Sequence, residues 1–193
     1  PLTYAAIPLL LLLADYINMP FEAWRRHTYI VKARKILKAC PDLTVIGITG
    51  SYGKTSVKYY LNTLLQAQFN SLMTPESYNT PMGVVKTIRG QLKPYHEVFV
   101  CEMGAQNVGD GIAGPRHGII TALGQQHLES FKSQENIIKT KYELADALPE
   151  DGFLLLNGDN ELIRTNLPRH RFMTYGLNDE NDYRASDVIV SSR

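Results

Sequence analysis

The stretch Thr44 to Ser56, TVIGITGSYGKTS, carries the residue types that handle phosphate groups. Gly50 and Gly53 free the backbone to turn its N–H groups onto an anion, and a helix beginning near Lys54 adds the positive end of its dipole. Lys54 offers an ammonium for the outer phosphates of a nucleotide, and the Thr55 hydroxyl is of the type that holds Mg²⁺ in such loops. Ser51 and Ser56 join the same candidate nucleotide site. The strict P-loop pattern wants a small residue five positions before Gly53, where this chain has Ile48, and its glycines fall instead at Gly47 and Gly50. A Gly-Lys-Thr also arises by chance in loops. The β-branched run Val45, Ile46, Ile48 before it and the helical spacing of Val57, Tyr60, Leu61, Leu64 and Leu65 after it favour a strand, a phosphate loop and a helix.

Further candidates stand at the ends of later apolar runs. In HEVFVCEMGA, Glu102 follows a strand-like run, where it either simply ends the strand or completes a Mg²⁺ shell with Thr55. ITALGQQHLESF puts His127 and Glu129 just past another strand, as surface residues or as site residues at its carboxyl end. In IIKTKYELADAL the residues alone do not distinguish Lys141, or Lys139, from ordinary solvated helix lysines, and Leu144 and Leu148 mark the packing side. ESYNTPMG offers Asn79, Thr80 and Gly83 near the phosphate edge, or simply a helix start with Thr80 as cap and Pro81 in the first turn.

The elements that position these residues alternate. Helix 56–68, strand 69–73, helix 83–91, strand 96–101, strand 119–123, helix 133–147 and strand 153–156 follow the loop, with short β-like runs at the end. The fold class this predicts is α/β: a mostly parallel sheet with helices on both faces, preceded by a helical N-terminal arm. The arm spans residues 1–41 and the nucleotide domain 42–193. With 193 residues, 44% of them hydrophobic, and a net charge of +1, the chain has room for one core plus an arm, and no charge excess points to nucleic acid. Cys40 and Cys101 have neither metal-ligand spacing nor disulfide density, which fits a reducing, cytoplasmic setting.

In the arm, AAIPLLLLLA from Ala5 to Ala14 is about half the length a membrane helix needs. Trp24, Tyr29 and the basic Arg25, Arg26, Lys32, Arg34, Lys35 and Lys38 follow, the order found where a helix leaves a bilayer on its cytoplasmic side. The end of a membrane helix is therefore the leading expectation, with a buried core helix and a signal-peptide core as alternatives. Phe21 to Ala39 reads as a helix in which Trp24, Ile30, Ala33, Ile36 and Leu37 share a face, with Pro41 ending it.

Taken together, TGSYGKTS, YNTPMG, CEMGA, QQHLESF, KTKYEL and LPEDGFLLLNGDN, in this order over residues 42–193, resemble the central ATP-binding domain of the Mur ligase family, nearest to the D-alanyl-D-alanine-adding subtype. The resemblance implies an ATP- and Mg²⁺-dependent amide ligase of peptidoglycan precursor synthesis. Such an enzyme activates the carboxylate of a UDP-muramoyl peptide as an acyl phosphate for attack by an amino acid or dipeptide amine. It further implies that Gly50, Ser51, Gly53, Lys54, Thr55 and Ser56 bind ATP, that Thr55 and Glu102 serve one Mg²⁺, and that His127 helps hold a second. Lys141 matches the family's carbamylated lysine, and Asn79 and Thr80 match the loop beside the γ-phosphate and the substrate carboxylate. The family's N-terminal sugar-nucleotide domain is replaced by the apolar, basic arm, as in a membrane-attached subset, which places the protein in the cytoplasm or at the cytoplasmic membrane face. The chain as it stands is not expected to complete a ligation. Its Asp110 to His117 crossover is shorter than the family's, through a deletion or missing residues. A folylpolyglutamate-synthase-like ligase and a non-catalytic, membrane-tethered nucleotide module are the alternatives.

Overall fold

Apolar runs and amphipathic stretches alternate along the chain, and they fold as strand-then-helix units. The computed structural model describes residues 2–104, 112–124 and 134–189. In chain order the elements are α1 (Leu2–Lys38), β1 (Thr44–Thr49), α2 (Lys54–Leu65), β2 (Ser71–Met73), α3 (Pro81–Gln91), β3 (Val98–Glu102), β4 (His117–Ile120), α4 (Gln134–Asp146), β5 (Phe153–Asn157), α5 (Glu161–Thr165), β6 (Phe172–Gly176) and β7 (Tyr183–Arg184). The strands form one seven-stranded sheet in the order β2-β3-β1-β4-β5-β6-β7. Every pairing in it is parallel.

Parallel strands need cover on both faces, and alternation along each strand divides the cover in two. On one face Val45, Phe99, Cys101, Leu154 and Leu156 pack with Ala33, Val84, Val85, Ile88, Leu144 and Ile163 from α1, α3, α4 and α5. On the other, Ile46, Ile48, Val98, Val100 and Ile119 pack under Val57, Leu61 and Leu65 of α2. Glu102 shares the parity of Val98 and Val100, so the pleat of β3 turns it toward α2. The chain leaves β1 toward β2 on one side of the sheet and leaves β4 toward β5 on the other. The carboxyl ends of β1 and β4 therefore border a topological switch point, where open α/β sheets bind ligands.

Several local expectations are corrected. Tyr60 and Leu64 do not join the packing stripe of α2, being 71% and 74% exposed; Lys58 and Asn62 are buried in their place. Asn62 earns that position by accepting a hydrogen bond from Ser71 Oγ at 2.9 Å. Within the terminal run of β-like segments lies the short helix α5, capped by Asn160, whose side chain accepts from the Ile163 amide.

The N-terminal helix is one element from Leu2 to Lys38, running through Pro8 and Pro20 rather than restarting at Phe21. Ile30, Ala33, Ile36 and Leu37 pack into the core beside α3, and Arg89 of α3 stacks over the Tyr29 ring, 4.2 Å from its centroid. Trp24, expected on that face, is 62% exposed, as are Ile7 and Leu10 to Leu13 at 47–66%. Among the described residues no helix is long and apolar enough to cross a membrane.

Candidate functional site

The loop between β1 and α2 is shaped by its two glycines. Gly50 has φ 148° and Gly53, the α2 N-cap, has φ 79°, conformations that side chains resist. At Gly50 a Cβ would also sit 2.1 Å from Thr121 Oγ1, so the loop lies against the end of β4. Further bonds fasten it there. Ser51 N donates to Ala122 O at 2.7 Å, and Ser51 Oγ exchanges hydrogen bonds with the Gly124 carbonyl and amide at 3.2 and 3.1 Å. Thr121 Oγ1 donates to Tyr52 O at 2.5 Å. Ser51 is thus committed to β4, and Thr121 and Gly124 are supports that the sequence reading missed. Their only signal was a polar residue and a glycine directly after a strand.

The first turn of a helix leaves N–H groups without intrahelical partners, and here that turn holds Lys54, Thr55 and Ser56. The Lys54 ammonium folds back to the loop carbonyls, 2.7 Å from Gly50 O and 3.5 Å from Ser51 O. Its pKa is lowered by burial, against an opposing pull from Glu102.

Glu102 reaches this loop from β3, as its pleat dictates. Its carboxylate is 1% exposed and receives Thr55 Oγ1 at 3.2 and 3.1 Å, one oxygen each. Asn79 Nδ2 donates to Oε1 at 3.4 Å and Lys58 Nζ to Oε2 at 2.9 Å. Asn79 in turn accepts from the Gly104 amide at 2.7 Å, and a Cβ on Gly104 would lie 2.8 Å from that same carbonyl oxygen. Thr80 is the α3 N-cap, accepting from the Gly83 amide at 3.2 Å, with Pro81 in the first turn.

The structure therefore brings together Lys54, Thr55, Asn79 and Glu102. Thr55 and Glu102 form an all-oxygen pair of the kind that suits a hard divalent cation. Among the described residues no three His, Cys, Asp or Glu side chains cluster as a ready-made metal cage. His127 and Glu129 lie outside the described residues, as do Asp110 and Gly111 at the start of the Asp110 to His117 crossover expected to be short, whereas Ile112 and Ala113 within it are buried.

Lys141 is not an ordinary surface lysine. It is 4% exposed, and its pKa is lowered to about 8, first by burial and then by the charge of Lys54. The signal was present in the sequence: Ile137, Lys141, Leu144 and Leu148 fall at helical spacing on one face, and all are buried. Lys139, two positions away, is exposed.

A family sequence model described as Mur ligase middle domain matches residues 48–193. A UDP-N-acetylmuramoyl-tripeptide–D-alanyl-D-alanine ligase of Bacillus subtilis is 34% identical over 152 residues, covering 76% of this chain and 33% of that protein. The chain spans about a third of the length of this curated relative. The crystal structure of MurF ligase from Thermotoga maritima in complex with ADP superposes with a TM-score of 0.72 at 32% identity, covering 79% of this chain and 36% of that one. E. coli FolC in complex with DHPP and ADP shares the fold alone, at 14% identity and a TM-score of 0.50, over 79% of this chain and 46% of that one.

The buried ammonium of Lys141 gives the fold a defined pH response. Below about pH 8 Lys141 is protonated in both folded and unfolded chains, and the fold bears the full cost of burying its charge. Between about 8 and the ordinary 10.5 only the unfolded chain keeps the proton, so stability rises with pH across that window. Lys141→Met is expected to stabilise the chain by on the order of 2 kcal/mol at pH 7 and by much less at pH 10. Urea midpoints at the two values test this; a gain independent of pH contradicts it.

Proposed function

The chain belongs to the Mur ligase family, and on that footing we propose that residues 42–193 are the ATP-using domain of an amide ligase of peptidoglycan precursor synthesis. Its substrates on this reading are a UDP-muramoyl peptide and an amino acid or D-alanyl-D-alanine. The observation that carries it is the meeting of Glu102 with Thr55 beside Lys54 at the carboxyl edge of the sheet. The 34% identity to a tripeptide–D-alanyl-D-alanine ligase supports this subtype, whereas the likeness to FolC is one of fold.

ATP and Mg²⁺, when bound, supply the phosphoryl group and the counter-charge that let a carboxylate become an acyl phosphate open to an amine. The residues of the chain bind and orient. Gly50, Gly53 and the α2 amides form the phosphate cradle, and Lys54 adds the cation that offsets repulsion between the phosphates and the carboxylate. Thr55 and Glu102 would hold Mg²⁺, Asn79 and Thr80 would serve the γ-phosphate and the carboxylate to be activated, and His127 would serve a second Mg²⁺.

Lys141 is the carbamate site. Carbamylation joins the neutral amine nitrogen to the carbon of CO₂ and releases a proton, leaving an anion where a cation stood. With its pKa lowered to about 8, Lys141 is neutral far more often near neutral pH than an ordinary lysine. Burial thus prepares the amine for a reaction that also removes the unfavourable cation.

We further propose that the arm attaches the domain to the cytoplasmic face of a membrane. Leu10 to Leu13 are exposed around the whole circumference of α1, which suits a lipid surround better than a partner on one face. Trp24 and the cations that follow suit the headgroup layer.

Lys54→Ala is expected to lower ADP affinity at least a hundredfold by calorimetry; unchanged binding contradicts the phosphate role. A ligase that contains this domain should release phosphate from ATP only when both the UDP-muramoyl tripeptide and D-alanyl-D-alanine are present. Release that ignores either one contradicts the assignment of substrates. Lys141→Ala should lose this activity and regain part of it with added short-chain carboxylates, and full activity without them contradicts the carbamate. In flotation with vesicles containing phosphatidylglycerol, the chain should rise with the lipid, and Leu11→Ser/Leu12→Ser should remain below; equal behaviour of the two contradicts the attachment.

A further inference from the structure

Lys58 has no part in the sequence reading or in the reaction as set out above, yet it is 0% exposed and among the largest fully buried side chains of the chain. Lysine is almost never buried to this degree unless its charge is paired. One helical turn after Thr55, it projects to the same side of α2 and approaches the same carboxylate. Its ammonium has two hydrogen-bond partners, Glu102 Oε2 at 2.9 Å and the backbone carbonyl of Glu76, and also lies 5.3 Å from the centroid of the Tyr59 ring. Glu76 has φ 42°, in the left-handed region that a non-glycine residue occupies at a cost. It lies in the segment between β2 and α3 that also carries Thr74, Asn79 and Thr80. Thr74 Oγ1 accepts from the Glu102 amide at 3.1 Å, and Asn79 donates to the Glu102 carboxylate.

We propose that Lys58 is a positioning residue that sets two parts of the site with one ammonium: the Glu102 carboxylate, and the 74–80 segment that carries Asn79 and Thr80. The pairing with Glu102 fixes which carboxylate oxygen faces Lys58 and which faces Asn79. The bond to Glu76 holds the segment in a backbone conformation that it does not favour alone. Metal ligand and substrate-side loop are therefore placed by a common element on α2, the helix that also presents Lys54 and Thr55. The functional meaning of this coupling rests on the reading of Glu102 as a Mg²⁺ ligand, whereas the coupling itself is tested without metal or nucleotide.

Four forms of the chain decide it: the native sequence, Lys58→Met, Glu102→Gln, and the two substitutions together. Lys58→Met leaves a buried carboxylate without its cation, so it should melt far below the double variant or fail to fold, and Glu102→Gln, which leaves a buried ammonium without its anion, should also melt below the double variant. A Lys58→Met chain as stable as the double variant overturns the pairing. Glu-C protease, which cuts after Glu76, reads the segment locally, with products mapped by mass spectrometry. Glu102→Gln should be cut within about twofold of the native rate, because Lys58 still holds Glu76. The double variant should be cut at least tenfold faster than Glu102→Gln despite its recovered melt, a difference that a purely structural role for Lys58 does not produce. Equal cutting of these two overturns the proposal. Mg²⁺ dependence of ADP binding in Glu102→Gln reports separately on the metal role: if it is unchanged while the protease result holds, the metal reading fails and the coupling stands.

Discussion

The organisation of this domain depends on one buried carboxylate. Glu102 is 1% exposed at the end of β3, and each of its oxygens receives two donors from three side chains, Thr55, Lys58 and Asn79. A carboxylate taken out of water is costly unless it is paired and hydrogen-bonded, and removing one partner of a buried ion pair typically costs about 3–5 kcal/mol. Replacing the whole pair with apolar groups is often neutral or stabilising, so the pair does not owe its place to stability. It brings β3, α2 and the segment before α3 to a common point at the sheet's carboxyl edge.

That point exists because of the topology. β1 sits between β3 and β4 in register, with Ile48 opposite both Glu102 and Ile119. The phosphate-type loop that leaves β1 is flanked by Glu102 on one side and by Thr121 to Gly124 on the other. The β3 side supplies the charged chemistry, and the β4 side supplies the fastening, through Ser51, Thr121 and Gly124. Lys141 arrives from α4, close enough to Lys54 for the two cations to oppose each other. Three buried or half-buried lysines, Lys54, Lys58 and Lys141, share the neighbourhood of one carboxylate, so the site is short of negative charge, a deficit that the phosphates of a nucleotide would offset.

Much of this was legible in the sequence. Apolar β-branched runs alternating with amphipathic stretches gave the parallel sheet, and Thr80 followed by Pro81 gave the start of α3, because both signals are local. Glu102 was legible as the carboxylate that ends an apolar run. What stayed hidden depends on burial from a distance. Lys58 looks like any lysine on an amphipathic helix, and only its register against Glu102, far along the chain, explains why it is inside while Leu64 is 74% exposed. Lys141 stood out only through the family resemblance, although its spacing with Ile137, Leu144 and Leu148 already placed it on the packing face. The continuity of α1 through Pro20 ran against the usual reading of proline as a helix breaker. Its second half packs on α3, which helps to hold the lower part of the helix in place.

Thr55 and Glu102 are the proposed ligands of the cation that would accompany the nucleotide. The measurement that tests this assignment most directly is a crystal structure of the chain grown with ADP and Mn²⁺, phased to show the anomalous signal of manganese. A peak is expected within coordination distance, about 2.2 Å, of both Thr55 Oγ1 and a Glu102 oxygen, with the β-phosphate against the Gly50 to Lys54 loop. Bound ADP with no manganese peak at these two oxygens, or with the peak elsewhere and Glu102 still held by Lys58 and Asn79 alone, would contradict it.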